Sequence, residues 1–164
     1  MKIKIKKPIL VSHITFSVGW LGSVITFLVL AVTGLTTLDN QLSRSAIVAM
    51  NINVWFVIVP LCFLSLITGL VLALGTKWGL FRHYWITVKL LLTVGMTFLL
   101  LTHLQPISEL ANVASEASFA NSDYTNELLT IIAEAGGAIL TLVGVITISI
   151  YKPWGKIQKI KKEA

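Results

Sequence analysis

Four apolar stretches, each long enough to cross a lipid bilayer, constrain this chain more than any other feature of its sequence. They cover residues 9–35, 47–74, 84–104 and 128–151. A helix rises ~1.5 Å per residue and the hydrocarbon core of a bilayer is ~30 Å thick, so each stretch suffices for one crossing. The chain is 55% hydrophobic and 12% charged, and no stretch remains for a separate soluble domain. We therefore predict an all-α, integral membrane four-helix bundle that forms a single transmembrane domain over residues 1–164.

The basic residues predict how these helices are oriented. Eleven of the 13 Lys and Arg residues fall in the segments 1–7, 76–83 and 152–164. The two other connecting segments, 36–46 and 105–127, hold five acidic residues and one Arg. Lys and Arg beside membrane helices are retained on the cytoplasmic side. The pattern predicts an up-down bundle in a bacterial plasma membrane, with both termini cytoplasmic, an external loop at 105–127 and a basic cytoplasmic tail at 152–164.

Charge and cysteine content narrow the function classes. The net charge of +6 lies in short segments beside apolar helices, where anionic lipid headgroups are nearer partners than nucleic acid. We therefore expect the bilayer as partner and no nucleic acid. The single cysteine, Cys62, excludes an intramolecular disulfide and a cysteine metal cluster, so redox chemistry needs a bound cofactor. No phosphate-binding glycine loop, HExxH zinc motif or nucleophile with its base is present.

Four polar residues inside the apolar stretches are the candidate functional residues. Counted from the nearest cytoplasmic end, His13 and Lys89 both lie ~10 Å deep. His103 and Glu134 lie ~30 Å from the same side. The sequence thus predicts an inner polar layer of His13 and Lys89, and a second layer of His103 and Glu134 in which the two side chains are in contact.

Each of these residues also has a purely structural interpretation. A charged residue at membrane depth indicates a functional site by default, yet Lys89 can also extend its ammonium back to the headgroups. His13 can be an interfacial histidine bonded to a helix carbonyl, and for His103 a simple bond to Glu134 is the favoured reading. His83 points to a different face of its helix, but it stays an alternative to Lys89 as the second group of the inner layer.

Helix-borne histidines are also how helical bundles hold haem, with the imidazole as axial ligand and nearby cations beside the propionates. On this reading His13 is the metal ligand and Lys89 the partner of the anionic groups. Lys89 as a neutral amine is an alternative iron ligand.

Three further features concern the shape and packing of the helices. Pro60 removes a backbone donor and should kink the second helix. On the fourth helix, Glu134 shares a face with small residues that suit close packing against the third helix. Within the external loop, residues 107–119 have the apolar spacing of a short surface helix.

Three motifs together carry a resemblance to a known family. These are His13 followed by Gly19-Trp20-Leu21-Gly22, Pro60 with Gly69, and Trp85-Ile86-Thr87-Val88-Lys89-Leu90. The combination resembles the HemJ-type protoporphyrinogen oxidases, small four-helix bacterial membrane proteins in which such a histidine and a W-x-x-x-K-L element carry the activity and the haem binding. The resemblance implies Lys89 as catalytic residue and His13, Lys89, Trp20 and Trp85 as cofactor-binding residues.

Two other likenesses are weaker in what they imply. The helix with a histidine followed by Trp and Gly also looks like the copper-resistance D-type membrane proteins, for which copper uptake is the proposed role. Residues 76–85 look like the corresponding loop of an uncharacterised bacterial membrane-protein family.

The first functional hypothesis is a membrane protein that binds haem b or a related porphyrin for redox chemistry, passing electrons between a quinone and a redox partner. The second is a transport or accessory subunit, in which Lys89, His103 and Glu134 line a path for a proton, copper or a small anion. Four helices leave little room for a pore, so this hypothesis requires a homo-oligomer or a larger partner. The third is a non-catalytic scaffold subunit whose polar layers serve helix association.

Overall fold

Five α-helices form nearly all of the computed structural model, which describes residues 3–75, 80, 83–116 and 119–153. They are α1 (Ile3–Thr36), α2 (Asn40–Asn53), α3 (Val59–Gly75), α4 (Tyr84–Ser115) and α5 (Thr125–Tyr151). A π-helical turn, Val54–Ile58, joins α2 to α3, and a 3₁₀ turn, Asn121–Tyr124, precedes α5. Lys77, Arg82 and residues 154–164 of the predicted basic tail lie outside the described residues.

Four helices are long and apolar enough to cross a membrane. They span Ile5–Thr36, Asn40–Gly75, Tyr84–Ser115 and Thr125–Tyr151, and the second comprises α2, the π-helical turn and α3. Large apolar side chains on their outer surfaces are exposed, among them Phe56 at 77% and Leu140 at 75%. A bilayer is the environment in which such surfaces are stable. The prediction of an all-α chain with four helices long and apolar enough to span a membrane is confirmed for the described residues.

The first helix lies at the centre of the packing. α1 contacts α2, α3 and α5, whereas α4 contacts α2, α3 and α5 from the other side. Trp20, Val24, Phe27 and Ala31 recur every three or four residues along one face of α1 and are buried. This 3.6-residue periodicity places a continuous apolar stripe against the neighbouring helices.

α4, which was predicted as the third spanning helix, runs eleven residues beyond its predicted end at Leu104. The predicted external loop thus begins as regular helix, and the separate surface helix proposed for 107–119 is instead part of α4, which ends at Ser115. Ile107, Leu110 and Ala114 are buried, so this turn of helix is held by tertiary packing. Pro106 lies within the helix without ending it.

Asp39 stabilises the start of α2, and Arg44 stabilises the end of α4. Asp39 caps α2 by accepting hydrogen bonds from the backbone N–H groups of Gln41 and Leu42, at 2.9 and 3.4 Å. Arg44 donates to the carbonyl oxygens of Ala114 and Ser115 at 2.8 and 2.7 Å. These carbonyls belong to the last turn of α4, which has no intrahelical donors for them. The α2 segment therefore fixes the far end of α4.

The irregular backbone of the second spanning helix lies just before Pro60. A proline cannot donate to the preceding turn, and the structure places the π-helical turn Val54–Ile58 there. Asn53, at the start of this turn, is bonded to α1: Ser23 Oγ donates to Asn53 Oδ1 at 2.7 Å, and Asn53 Nδ2 donates to the Ser23 carbonyl at 3.0 Å. These two hydrogen bonds anchor the start of the turn to α1.

Candidate functional site: two cavities that meet at Trp20

A cavity of about 660 Å³ contains all four residues predicted to bind a cofactor: His13, Trp20, Trp85 and Lys89. We call it the His13 cavity. It is lined by the N-terminal parts of α1 and α4 and by the C-terminal parts of α3 and α5. Its volume falls in the range of ~300–1,000 Å³ typical of small-molecule sites. The two helices that carry His13 and Lys89 therefore contribute to one space, as the depth count predicted.

The imidazole of His13 is fixed on α3 through Nδ1. This atom lies 3.1 Å from the carbonyl oxygen of Ser65 and 3.1 Å from Oγ1 of Thr68. A carbonyl can only accept, so Nδ1 carries the proton and donates. The Thr68 hydroxyl donates its own proton to the Leu64 carbonyl at 2.6 Å, which leaves its oxygen free to accept from the ring.

The other ring nitrogen, Nε2, makes no hydrogen bond with the described residues. With the proton on Nδ1, a neutral His13 presents a lone pair at Nε2. Metal-ligating histidines have this arrangement: one nitrogen donates to a carbonyl or carboxylate and fixes the ring, and the other coordinates. Ligation by Nε2 is therefore the chemistry that this geometry allows.

Gly69 provides the space that the His13 ring occupies. A Cβ atom at residue 69 would lie 2.9 Å from Cε1 of His13 and 3.5 Å from Nδ1. Ser17 adds a second link in the same region, donating to the His13 carbonyl at 2.7 Å and contacting the Ser65 hydroxyl at 2.7 Å. The ring is thus held between α1 and α3 by hydrogen bonds on one side and close packing on the other.

Lys89 is the cation nearest this histidine. Its ammonium lies 5.6 Å from the centroid of the Trp85 ring, one turn earlier on α4, and close enough to His13 to interact with it electrostatically. It forms no ion pair with a carboxylate in the described part of the chain. A lysine in this position has one aromatic contact and an unneutralised charge.

The charged residues that line the cavity are all basic. Lys6 and Lys152 join Lys89, and no acidic side chain is among the described lining residues. Most of the remaining wall is aliphatic, as at Leu10, Leu66 and Ile146. An apolar space with basic groups is complementary to a ligand that has an apolar body and anionic groups.

His13 is the one His, Cys, Asp or Glu side chain among the described residues that line this cavity. Among the described residues there is no group of three or more such side chains that could hold a metal ion. A metal in a porphyrin needs fewer ligands from a protein than a bare ion does, because the macrocycle supplies four.

A second, smaller cavity of about 370 Å³ contains the other predicted pair, His103 and Glu134. We call it the His103 cleft. His103 Nε2 lies 2.9 Å from Glu134 Oε1, which confirms the predicted contact, and His103 Nδ1 lies 2.7 Å from the Leu99 carbonyl. The two side chains are 36% and 41% exposed.

The small-residue face of α5 does not pack closely against α4, contrary to the sequence prediction. Gly137, Ala138 and Thr141 line the His103 cleft together with Glu134. A Cβ atom at Gly137 would meet nothing within 4 Å. The small side chains leave a groove between the two helices, and the cleft occupies it.

Trp20 lines both cavities and is 3% exposed, so its indole lies between the two polar layers.

His83 lines neither cavity; it is buried immediately before α4, with its ring 6.3 Å from that of Trp85. Of the two alternatives for the group that accompanies His13, the structure places Lys89 in the cavity.

Ser65 and Thr68, which position His13, were not predicted from the sequence, and Gly69 was named only as part of the motif that it shares with Pro60. Thr68 and Gly69 lie one turn after Ser65 on an otherwise apolar helix, and this spacing of small and polar residues was the signal that could have indicated their role. Lys6 and Lys152 were assigned only to the topology. In comparisons with known protein families, curated proteins and solved structures, none matches this chain.

Proposed function

We propose that this protein binds haem b or a related porphyrin in the His13 cavity and uses it for redox chemistry in the membrane. His13 Nε2 would be the axial ligand, and Lys89 would pair with an anionic edge group of the ring. Iron held by a single imidazole supplies one-electron chemistry, with the potential set by its ligands and surroundings. The observation that carries the proposal is the fixed His13 ring, whose Nδ1 is bonded to Ser65 and whose Nε2 makes no hydrogen bond with the described residues.

The distribution of charge supports an anionic, amphiphilic ligand. Lys6, Lys89 and Lys152 face a cavity whose described walls hold no carboxylate. Porphyrin carboxylates are natural partners for such cations, and the indoles of Trp20 and Trp85 offer flat apolar surfaces to a macrocycle. Lys89 is also the residue we propose as catalytic, because it is the cation nearest the ligating histidine.

We also propose the orientation of the protein in the membrane. The helix ends that line the His13 cavity are those beside the basic segments 1–7 and 152–164, and an up-down bundle in a bacterial plasma membrane would place them in the cytoplasmic half. The porphyrin would then enter from the cytoplasmic leaflet. Cysteine accessibility, with single cysteines placed at residues 5 and 38 in a Cys62→Ala background, tests this orientation.

The test of the binding proposal is a reduced-minus-oxidised absorption spectrum of the purified protein after expression with ample haem. The wild type should show a b-type band, which His13→Ala should lose and Lys89→Ala should weaken. Thr147→Ala, whose exposed hydroxyl bonds only within α5, is the matched control and should retain the band. A featureless wild-type spectrum would refute the proposal.

Proton movement is a second candidate function, favoured by one observation. Among the described residues, Trp20 is the one that lines both the cavity with Lys89 and the cleft with His103 and Glu134. We place this indole on the path that a proton would take between them. Proteoliposomes loaded with a pH-sensitive dye test it: Trp20→Ala should raise the rate of proton entry if the indole is the barrier, and an unchanged rate would count against this function.

A further inference from the structure

The His103–Glu134 pair is more than a helix–helix contact, because its hydrogen bonds leave one oxygen unused. Nδ1 of His103 donates to the Leu99 carbonyl, which cannot donate back. The 2.9 Å contact between Nε2 and Oε1 therefore needs its own proton, held by either the imidazole or the carboxyl group. In both forms the pair is neutral overall. Oε2 of Glu134 makes no hydrogen bond with the described residues and remains an acceptor.

Oε2 of Glu134 lies beside the apolar groove between α4 and α5. Glu134 lies nine residues into α5, about 14 Å along the helix, and its side chain is 41% exposed, so Oε2 is accessible to a ligand in the groove. The groove exists because Gly137 and Ala138 leave space beside α4. Its remaining walls include the indole of Trp20 and the ring of Phe27.

We propose that the His103 cleft is a binding site for the head ring of a membrane-soluble quinol, with a ring hydroxyl donating to Glu134. A volume of about 370 Å³ is at the small end of ligand sites and suits one substituted ring. The aromatic walls suit a flat ring, and Leu99, which lines the cleft and is 55% exposed, gives an apolar tail a way into lipid. The proposal does not depend on a porphyrin in the His13 cavity.

The experiment is calorimetric titration of the full chain in phosphatidylcholine nanodiscs with decylubiquinol under argon, with empty nanodiscs subtracted. The wild type should bind one quinol per chain. Gly137→Leu should abolish binding by filling the groove. Gly136→Leu is the matched control, because a Cβ at residue 136 also meets nothing within 4 Å yet that residue does not line the cleft, and it should bind as the wild type does.

A second comparison tests the hydrogen bond itself. Glu134→Leu removes the acceptor oxygen and keeps a side chain of similar size in the wall of the cleft. We expect quinol affinity to fall about tenfold, as for the loss of one charge-assisted hydrogen bond. The oxidised form, decylubiquinone, has carbonyls in place of hydroxyls and should bind the variant at least as well as it binds the wild type.

Three results would overturn the proposal. The first is no saturable binding to the wild type beyond that of empty nanodiscs. The second is equal loss of binding in Gly136→Leu and Gly137→Leu. The third is that the affinities for quinol and quinone are both unchanged in Glu134→Leu, which would mean that the cleft binds apolar molecules without a hydrogen bond to the ring hydroxyl.

Discussion

Replacing Gly69 with alanine should separate the stability of the bundle from its ability to bind a ligand. The new Cβ would lie 2.9 Å from Cε1 of His13, closer than side-chain carbons approach. Relieving this contact to about 3.4 Å requires the ring to move by about 0.5 Å away from α3. The Nδ1 hydrogen bonds, now 3.1 Å long, would then stretch to about 3.6 Å and cease to be hydrogen bonds.

The two consequences for free energy have opposite signs. Losing the Nδ1 bonds destabilises the fold by about 1 kcal/mol, while alanine in place of glycine stabilises a helix by about 1 kcal/mol. The free energy of unfolding should therefore change by less than about 1 kcal/mol. Ligand affinity has no such compensation. Loss of the hydrogen bond that orients a metal-ligating histidine typically lowers metal affinity 10- to 100-fold.

Haem titration of the apoprotein, followed by absorbance, measures the affinity, and thermal unfolding in the same detergent measures the stability. Gly22→Ala is the control, because it lies on the same helix as His13 and a Cβ there meets nothing within 4 Å. It should keep the wild-type affinity. If Gly69→Ala binds haem as tightly as Gly22→Ala does, the close packing of the His13 ring is irrelevant to the site and the reasoning is wrong.

Substitutions at three further residues test other contacts. Lys89→Gln should lower haem affinity about tenfold in the same titration, the value of one charge-assisted interaction, whereas Lys89→Arg should preserve most of it. Arg44→Ala removes both donors to the last carbonyls of α4 and should destabilise the protein by about 1–3 kcal/mol, with faster hydrogen exchange confined to the turn that ends at Ser115. Asn53→Leu should cost only about 1 kcal/mol in thermal unfolding despite its two bonds with Ser23, because polar contacts between membrane helices are individually weak.

Hydropathy alone was enough to predict the helices, but not where they end. The apolar stretches located all four spanning helices because the cost of an unpaired backbone in lipid makes helix the only solution for such a segment. The extension of α4 to Ser115 depends on Arg44, which is 70 residues away in sequence. The apolar spacing of residues 107–119 predicted a helix there, but no local pattern shows that this helix continues α4.

The candidate site, like the fold, could be predicted from the sequence only in part. His13 and Lys89 were found from their depth, which depends only on counting residues along each helix. The roles of Ser65, Thr68 and Gly69 depend on how α3 is rotated against α1, and that rotation is set by packing of the whole bundle. The sequence therefore predicted which layer holds the site, and only the structure could identify the groups that fix its histidine.

The energetics of Lys89 connect the site to the membrane. A lysine inside a membrane helix costs at most ~2.5–3.5 kcal/mol on insertion scales, a value that applies at the helix centre, and contact with one aromatic ring returns only ~0.5–2 kcal/mol. Lys89 lies five residues into α4, with the ring of Trp85 beside it and no carboxylate partner in the described part of the chain. Replacing it with leucine should therefore stabilise the bundle itself. An anion bound in the His13 cavity would supply the missing interaction, and this predicts that Lys89→Leu raises the thermal stability of the apoprotein while it weakens binding of the ligand.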